Sequence, residues 1–333
     1  MTPTFDHRHS GHCESGTLSA LLRHDGLDLS EPMVFGIGGG LFFLHLPLIK
    51  MGGIPLTAYR DAPRSIIKNA CKRLGVRMRD HRYRSQEQGM QALDGFLAQG
   101  RPVGLQTCVF WLPYFPQDMR FQFNAHNLVA YGKRGDDYLL SDPVFEDTVT
   151  CPSADLQRAR FAKGVFAPKG LIYYPEDVPT APDLEQAVRT AIRHTAKRMV
   201  DVPMPFLGVR GIRSLAKSLQ RWPAKMGADR ARVWVGSVVR MQEEIGTGGA
   251  GFRFMYAAFL QEAAALLNLP ALAEAGRQLT ETGDRWREFA VRGAMLCKGQ
   301  GDDASAYDDL AAILRDCADR EERIFRQLKE VVR

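Results

Sequence analysis

The sequence predicts an α+β domain followed by an all-α domain, and three observations carry that reading. Up to about Tyr174, short helix-like stretches alternate with short apolar strand-like ones; beyond it, nearly every stretch has the three-to-four residue periodicity of an amphipathic helix. The join, Tyr173 to Pro182, is rich in proline and acid and reads as a linker, which puts the boundary near residue 176 and the domains at 1–175 and 176–333. In the first part, β-branched and aromatic residues concentrate in runs of four to eight.

In chain order, helices are expected over Glu14–His24, Pro63–Leu74 and Gln86–Gln99, each stopped by a glycine (Gly26, Gly75, Gly100) where a left-handed cap is needed. Strands are expected over Val76–His81, Pro102–Val109, Asn124–Tyr131, Tyr138–Ser141, Thr148–Cys151 and Leu171–Tyr174. An early helix followed by a mostly antiparallel sheet gives the α+β class. Helical periodicity then covers Leu184–Val200, Ile212–Gln220, Asp229–Ile245, Phe252–Leu267, Leu272–Met295 and Tyr307–Val332, a bundle or array without internal repeats.

With 333 residues, 45% hydrophobic and 25% charged, the composition is that of a soluble globular protein of two ordinary domains. The opening residues MTPTFDHRHSGHC lack the basic and apolar regions of a secretion signal, and the longest apolar runs are broken by glycine or charge, so neither secretion nor a transmembrane segment is expected. Six cysteines without a close pair fit a reduced, cytoplasmic protein. The net charge of +6 is concentrated between Arg189 and Arg240, which implies an acidic partner; no recognised motif or aromatic platform accompanies it, so nucleic acid is not expected.

Chemistry is concentrated in two places. In Ser10-Gly-His-Cys13-Glu-Ser-Gly-Thr-Leu18, a cysteine stands at the start of a helix, where unpaired N–H groups and the dipole stabilise the thiolate. Taken alone it reads more readily as a small buried residue near a chain end. The second place, Ala125 to Pro143, reads as a β-hairpin. With the turn centred on Arg134, His126 and Asp142 each lie eight residues away and face each other across the strands, close enough for a carboxylate to orient an imidazole. An ordinary surface hairpin is the plainer alternative. Together the two segments supply thiol nucleophile Cys13, base His126 and orienting acid Asp142, in the chain order of papain-like folds.

The segments His12-Cys13-Glu-Ser-Gly-Thr, Leu27-Asp-Leu-Ser-Glu-Pro-Met-Val-Phe-Gly-Ile-Gly-Gly-Gly-Leu41 and Ala125-His126-Asn-Leu-Val to Asp142-Pro resemble the N-terminal domain of the butirosin biosynthesis protein H family. Ile245-Gly-Thr-Gly-Gly-Ala-Gly-Phe-Arg253 to Phe259-Leu-Gln-Glu262 resembles the helical domain that often follows it. The resemblance implies a papain-like N-terminal domain and an acyltransferase of secondary-metabolite or lipid biosynthesis. Such an enzyme moves an acyl group from the phosphopantetheine thioester of an acidic acyl carrier protein through Cys13 to a small amine. No cofactor of the protein's own is implied, phosphopantetheine belonging to the substrate, and a homodimer is compatible with it. The hairpin also resembles leader-peptide peptidases of papain type, so hydrolysis of a peptide, amide or thioester is the alternative, and a non-catalytic binding protein the next. Those peptidases carry a glutamine before the cysteine as an oxyanion donor; here His7, His9 and Ser10 occupy that region, leaving the Cys13 N–H as the assigned donor.

Gly38, Gly39 and Gly40, with Asn127, Glu244 and Arg253, are the candidate substrate contacts. The glycines would form a wall along which substrate passes close to backbone, a plain tight turn fitting equally; the Gly246–Gly251 cluster would bring Glu244 and Arg253 over the site as a mobile element, with an interhelical loop the plainer reading. A metal held by His7, His9, His12 and Cys13 is not expected, because their spacing matches no common motif, and the Gly36–Gly40 run lacks nucleotide-binding spacing.

Overall fold

The computed structural model describes residues 4–300 and 303–333. The chain divides into two compact units, Met1–Val34 with Pro63–Pro182, and Phe35–Ala62 with Asp183–Arg333. The first holds helices α1 (Cys13–His24), α3 (Ser65–Leu74), α4 (Gln86–Ala98) and α5 (Ser153–Arg160), and strands β3 (Arg77–His81), β4 (Val103–Thr107), β5 (His126–Arg134), β6 (Asp137–Ser141), β7 (Val149–Pro152) and β8 (Ile172–Asp177). Helix α2 (Glu31–Ile37) runs across the chain point where the two units exchange. The second unit contains strands β1 (Leu41–Met51) and β2 (Ile54–Arg60), then α6 (Leu184–Val200), α7 (Gly208–Met226), α8 (Ala228–Glu243), α9 (Arg253–Leu267), α10 (Pro270–Cys297) and α11 (Asp303–Val331).

The expected class, an early helix with an antiparallel sheet and then helices, is what the chain adopts, and three features differ in detail. The six strands of the first unit run in the order β3-β8-β4-β5-β6-β7. Strand β8 is therefore internal, with Tyr173 buried between partners on β3 and β4, and the expected linker begins inside the sheet. Its Pro175 is tolerated because it sits at an irregularity in the pairing with β3. The second difference is the β1–β2 hairpin, which belongs with the later helices; burial alternates along β2, but β1 opens with three successive buried apolar residues, Leu41, Phe42 and Phe43, which hide the two-residue period there. The third, α5, has too few apolar residues, chiefly Leu156 and Ala159, for its periodicity to stand out.

The hairpin of β5 and β6 has its turn at Gly135 and Asp136, with Arg134 paired to Asp137 and Gly132 to Leu139. Continued unchanged, that register places residues 126 and 142 on opposite faces. A one-residue bulge at Tyr131 shifts it, so that Ala130 pairs with Leu140 and Val129 with Ser141. Extended, the shifted register sets Asp142 opposite Leu128 and brings His126, two residues further, onto the same face as a diagonal neighbour. The direct opposition expected from a turn at Arg134 is thus replaced by a diagonal one. Leu128, Ala130, Tyr138 and Leu140 on this face join one apolar core with Val103, Leu105, Phe115 and Ile172.

In the second unit, Arg253 and Glu321 are both fully buried and joined by two hydrogen bonds, 2.8 and 3.0 Å, with the Trp286 indole N–H donating to the same carboxylate at 2.7 Å. The guanidinium lies 4.7 Å from the Trp286 ring and 5.7 Å from that of Tyr59. Arg253 therefore holds helices α9, α10 and α11 together, and no substrate reaches it. The glycine cluster before it is a fixed turn. Thr247 donates to the Gln242 carbonyl at 2.6 Å, the Ala250 N–H to Glu243 at 3.1 Å, and Gly251, at φ +56°, leaves no room for a Cβ against the Tyr59 ring. Glu244 at its start is exposed and paired with Arg240 at 3.2 Å.

Removing one partner strands the other as an uncompensated buried charge, so Arg253→Met is expected to lower unfolding free energy by about 3–5 kcal/mol in urea titrations. A residue that contacted substrate would instead raise KM at unchanged stability.

Candidate active site

Cys13 is the first residue of α1 and nearly buried. The chain ahead of it is fixed by a carboxylate from outside: Glu31 accepts the Gly11 and His12 N–H groups at 2.8 Å each and the Ser15 hydroxyl at 3.0 Å. His12, as N-cap, accepts the Ser15 N–H on Nδ1. Burial pushes the Glu31 carboxyl up, opposed by these three donors. Glu14, wholly buried, accepts the Arg64, Ile66 and Ile67 N–H groups at 3.0, 3.0 and 3.2 Å, so it caps α3 and locks the nucleophile's helix to it.

The segment before Cys13 is also stitched to the end of β6. Ser10 N–H donates to the Pro143 carbonyl at 2.6 Å, while His7 contacts the Ser141 hydroxyl through Nδ1 at 2.7 Å and the Phe145 carbonyl through Nε2 at 3.0 Å. Both nitrogens of His7 are thereby committed. Gly16 permits the close approach, since a Cβ there would lie 2.6 Å from that of Ser10 and 2.7 Å from that of Pro143. The turn that carries Asp142 and the segment that leads to Cys13 form one structure.

His126, at the start of β5, contacts Asp142 Oδ2 through Nε2 at 2.7 Å. Cys13 is near enough to the same ring for its thiol to raise the imidazole's pKa, and Nδ1 is the ring nitrogen that Asp142 leaves open. Asp142, with 0% exposure, also accepts the Tyr114 hydroxyl at 2.8 Å and the Val144 N–H at 3.3 Å. Burial, then the Asp142 charge, pushes the Tyr114 hydroxyl up, so it remains a proton donor to that carboxylate. Phe115 stands edge-on to the imidazole with centroids 5.4 Å apart, shielding it from solvent.

Burial lowers the His126 pKa, but the charge and hydrogen bond of Asp142, followed by the nearby Cys13 thiol, overcome it and push it up to about 10. Burial drives Cys71 and Cys151 up to about 12 and Cys317 further, marking these as inert apolar thiols. Cys13 differs from them in having a buried, carboxylate-backed imidazole as its neighbour, an arrangement able to carry a thiolate–imidazolium pair.

The other expected contacts have internal duties. Asn127 is buried, donating to the Ala125 carbonyl at 3.0 Å and accepting the Tyr173 hydroxyl at 2.8 Å. Gly39 and Gly40 end α2, donating to the Gly36 and Phe35 carbonyls at 2.9 and 3.0 Å, and Gly38 lies in the same turn. Sequence reasoning missed Glu31, Glu14 and Tyr114. The two glutamates look like ordinary first-turn acids, and Tyr114 lies in a long β4–β5 loop with no periodicity to place it.

Residues 154–328 match the family model described as a domain of unknown function (DUF4872), and residues 12–143 match the one described as butirosin biosynthesis protein H, N-terminal. No curated protein matches the sequence. Among solved structures, one described as a C39-like peptidase from Bacillus anthracis aligns over 53% of this chain and 96% of its own, at 15% identity and a TM-score of 0.36. No helix among the described residues is long and apolar enough to cross a membrane.

With the folded-state pKa of His126 above its unfolded value of 6.5, the imidazolium contributes full stability below about pH 6.5 and loses it as pH rises toward 10. Iodoacetamide is accordingly expected to label Cys13 at pH 6, read by peptide mass spectrometry, while the exposed Cys297, whose thiol burial holds up, stays unlabelled. Asp142→Asn should slow Cys13 labelling at pH 6 by about tenfold or more.

Proposed function

We propose that this chain, a member of the DUF4872 family whose first part belongs to the butirosin biosynthesis protein H N-terminal family, is an acyltransferase working through Cys13. One observation carries the reading: the thiol at the start of α1 neighbours an imidazole that is held by a buried carboxylate at 2.7 Å. A papain-like cysteine enzyme is the class both family and arrangement support. Transfer from a carrier-protein thioester to an amine is the finer reading that the family favours.

In this mechanism His126 takes the Cys13 proton, and the thiolate attacks the carbonyl carbon of the acyl thioester. The negative charge that develops on the carbonyl oxygen is met by the Cys13 N–H, which has no acceptor within its own helix. Collapse breaks the bond to the pantetheine sulfur, which leaves as a thiol with the imidazolium proton. The acceptor amine then attacks the acyl-cysteine, His126 takes the amine's proton, and the amide leaves as the Cys13 thiolate is restored. Asp142 fixes the ring tautomer and stabilises the imidazolium without itself taking the proton.

For an acidic carrier protein, α7 offers a fitting face. Arg210, Lys217, Arg221 and Lys225, spaced by seven, four and four residues, are exposed on one side of the helix and have no acidic partner among the described residues. Other cations of the basic region are neutralised internally, as in Arg198 with Asp61 and Arg213 with Asp319 and Glu322.

Incubation with an acyl-loaded carrier protein is expected to add the acyl mass to the intact chain, and Cys13→Ala to abolish the adduct. An adduct that survives in Cys13→Ala, or none in the wild type, rejects the reading. Free acid as the sole product, with or without amines, would make the protein a hydrolase.

A further inference from the structure

Beside the His126 end of the sheet, the first unit exposes apolar side chains that its own interior does not use. Phe110 follows β4 and is 40% exposed; Met119, in the same β4–β5 loop, is 53% exposed. Val165 and Phe166, in the loop between α5 and β8, are 63% and 50% exposed. Phe166 has φ +55°, a left-handed conformation that costs a bulky residue about 1–2 kcal/mol.

Two nearly buried side chains hold that conformation. Gln106 Nε2 donates to the Phe166 and Asn124 carbonyls at 2.8 Å each, and Asn124 Nδ2 donates to the Val165 and Lys163 carbonyls at 2.9 and 3.1 Å. Gln106 adjoins Thr107, the partner of His126 in the β4–β5 pairing. Asn124 lies two residues, at most about 7 Å of chain, before His126. The pins are thus anchored at the site itself. Two buried polar groups and strained backbone are committed to keeping an aromatic ring in solvent, an arrangement that no packing need of the fold explains and that fits a binding surface.

We propose that Phe166 and Val165, with Phe110 and Met119, form the platform for an apolar acyl chain on the group that Cys13 receives. The proposal rests on the acyl-transfer reading and narrows it: the donor carries a hydrocarbon or aromatic acyl group, in place of a short or charged one. Gln106 of β4 and Asn124 are committed to holding the loops, and Arg120 donates inward to the Phe115 carbonyl at 2.7 Å.

The test uses the full chain and acyl-pantetheine thioesters carrying acetyl, octanoyl, dodecanoyl and succinyl groups. The first readout is the rate of the Cys13 adduct by intact mass; the second is thioester affinity of the unreactive Cys13→Ala chain by calorimetry. Octanoyl is expected to outpace acetyl by at least about tenfold and to bind correspondingly tighter, with succinyl poorest. Phe166→Ser and Phe110→Ser should flatten the preference while iodoacetamide labelling of Cys13 at pH 6 stays as in the wild type. Gln106→Leu, which removes the pin and leaves Phe166 in place, should do the same.

Equal rates and affinities across the acyl series overturn the platform and leave acyl transfer standing. No adduct from any thioester, with Cys13 labelling intact and no chain-length dependence of affinity, removes both. A concentration-dependent dimer in sedimentation that Phe166→Ser dissolves would assign the patch to a second copy and overturn the proposal.

Discussion

A carboxylate with no access to water has to be compensated from within, and Asp142 is the constraint from which the first unit's site follows. Its oxygens are met by the imidazole of His126, the hydroxyl of Tyr114 and the N–H of Val144. Each donor fixes a different stretch: the start of β5, the β4–β5 loop and the turn after β6. Stitching Ser10 and His7 to that turn adds the segment leading to Cys13. Desolvation would lower the imidazole's basicity by itself, and the same carboxylate reverses the sign.

The second unit uses burial of charge differently. Arg253 and Glu321 satisfy each other completely and, with the Trp286 indole, leave no lone group seeking an outside partner. Such closed networks specify how helices pack more than they add stability over an apolar core. At the Asp142 site the network ends on an imidazole beside a thiol, a group whose proton can leave. A closed network is architecture; one that ends beside a titratable nucleophile is poised for chemistry.

Much of this was legible in the sequence where local rules decide. The helices α1, α6 and α10 follow from periodicity and caps, and Cys13, His126 and Asp142 follow from residue type, chain order and the two-residue period of strands. What stayed hidden is non-local. The Tyr131 bulge and the turn at Gly135 each shift the register, and their effects on facing combine to keep the expected side while moving Asp142 opposite Leu128. Arg253 looked available because a glycine-rich stretch precedes it, yet its partner is sixty-eight residues later. The Phe35–Ala62 segment cannot be assigned to the later helices from local pattern, because an apolar run says that it is buried and not against what. Glu31 and Glu14 look like helix-dipole acids until their acceptor geometry is seen.

His126 and Asp142 are sixteen positions apart, and their shared side depends on a two-residue turn compensated by a single bulge. Loss or gain of one amino acid within the paired stretches of β5 or β6, where neither the turn nor a bulge absorbs it, puts the two side chains on opposite faces. A second such event there restores the shared side. Length variation within the paired stretches is therefore tolerated in even steps, a parity rule on inheritance that acts without altering any chemical group of the centre.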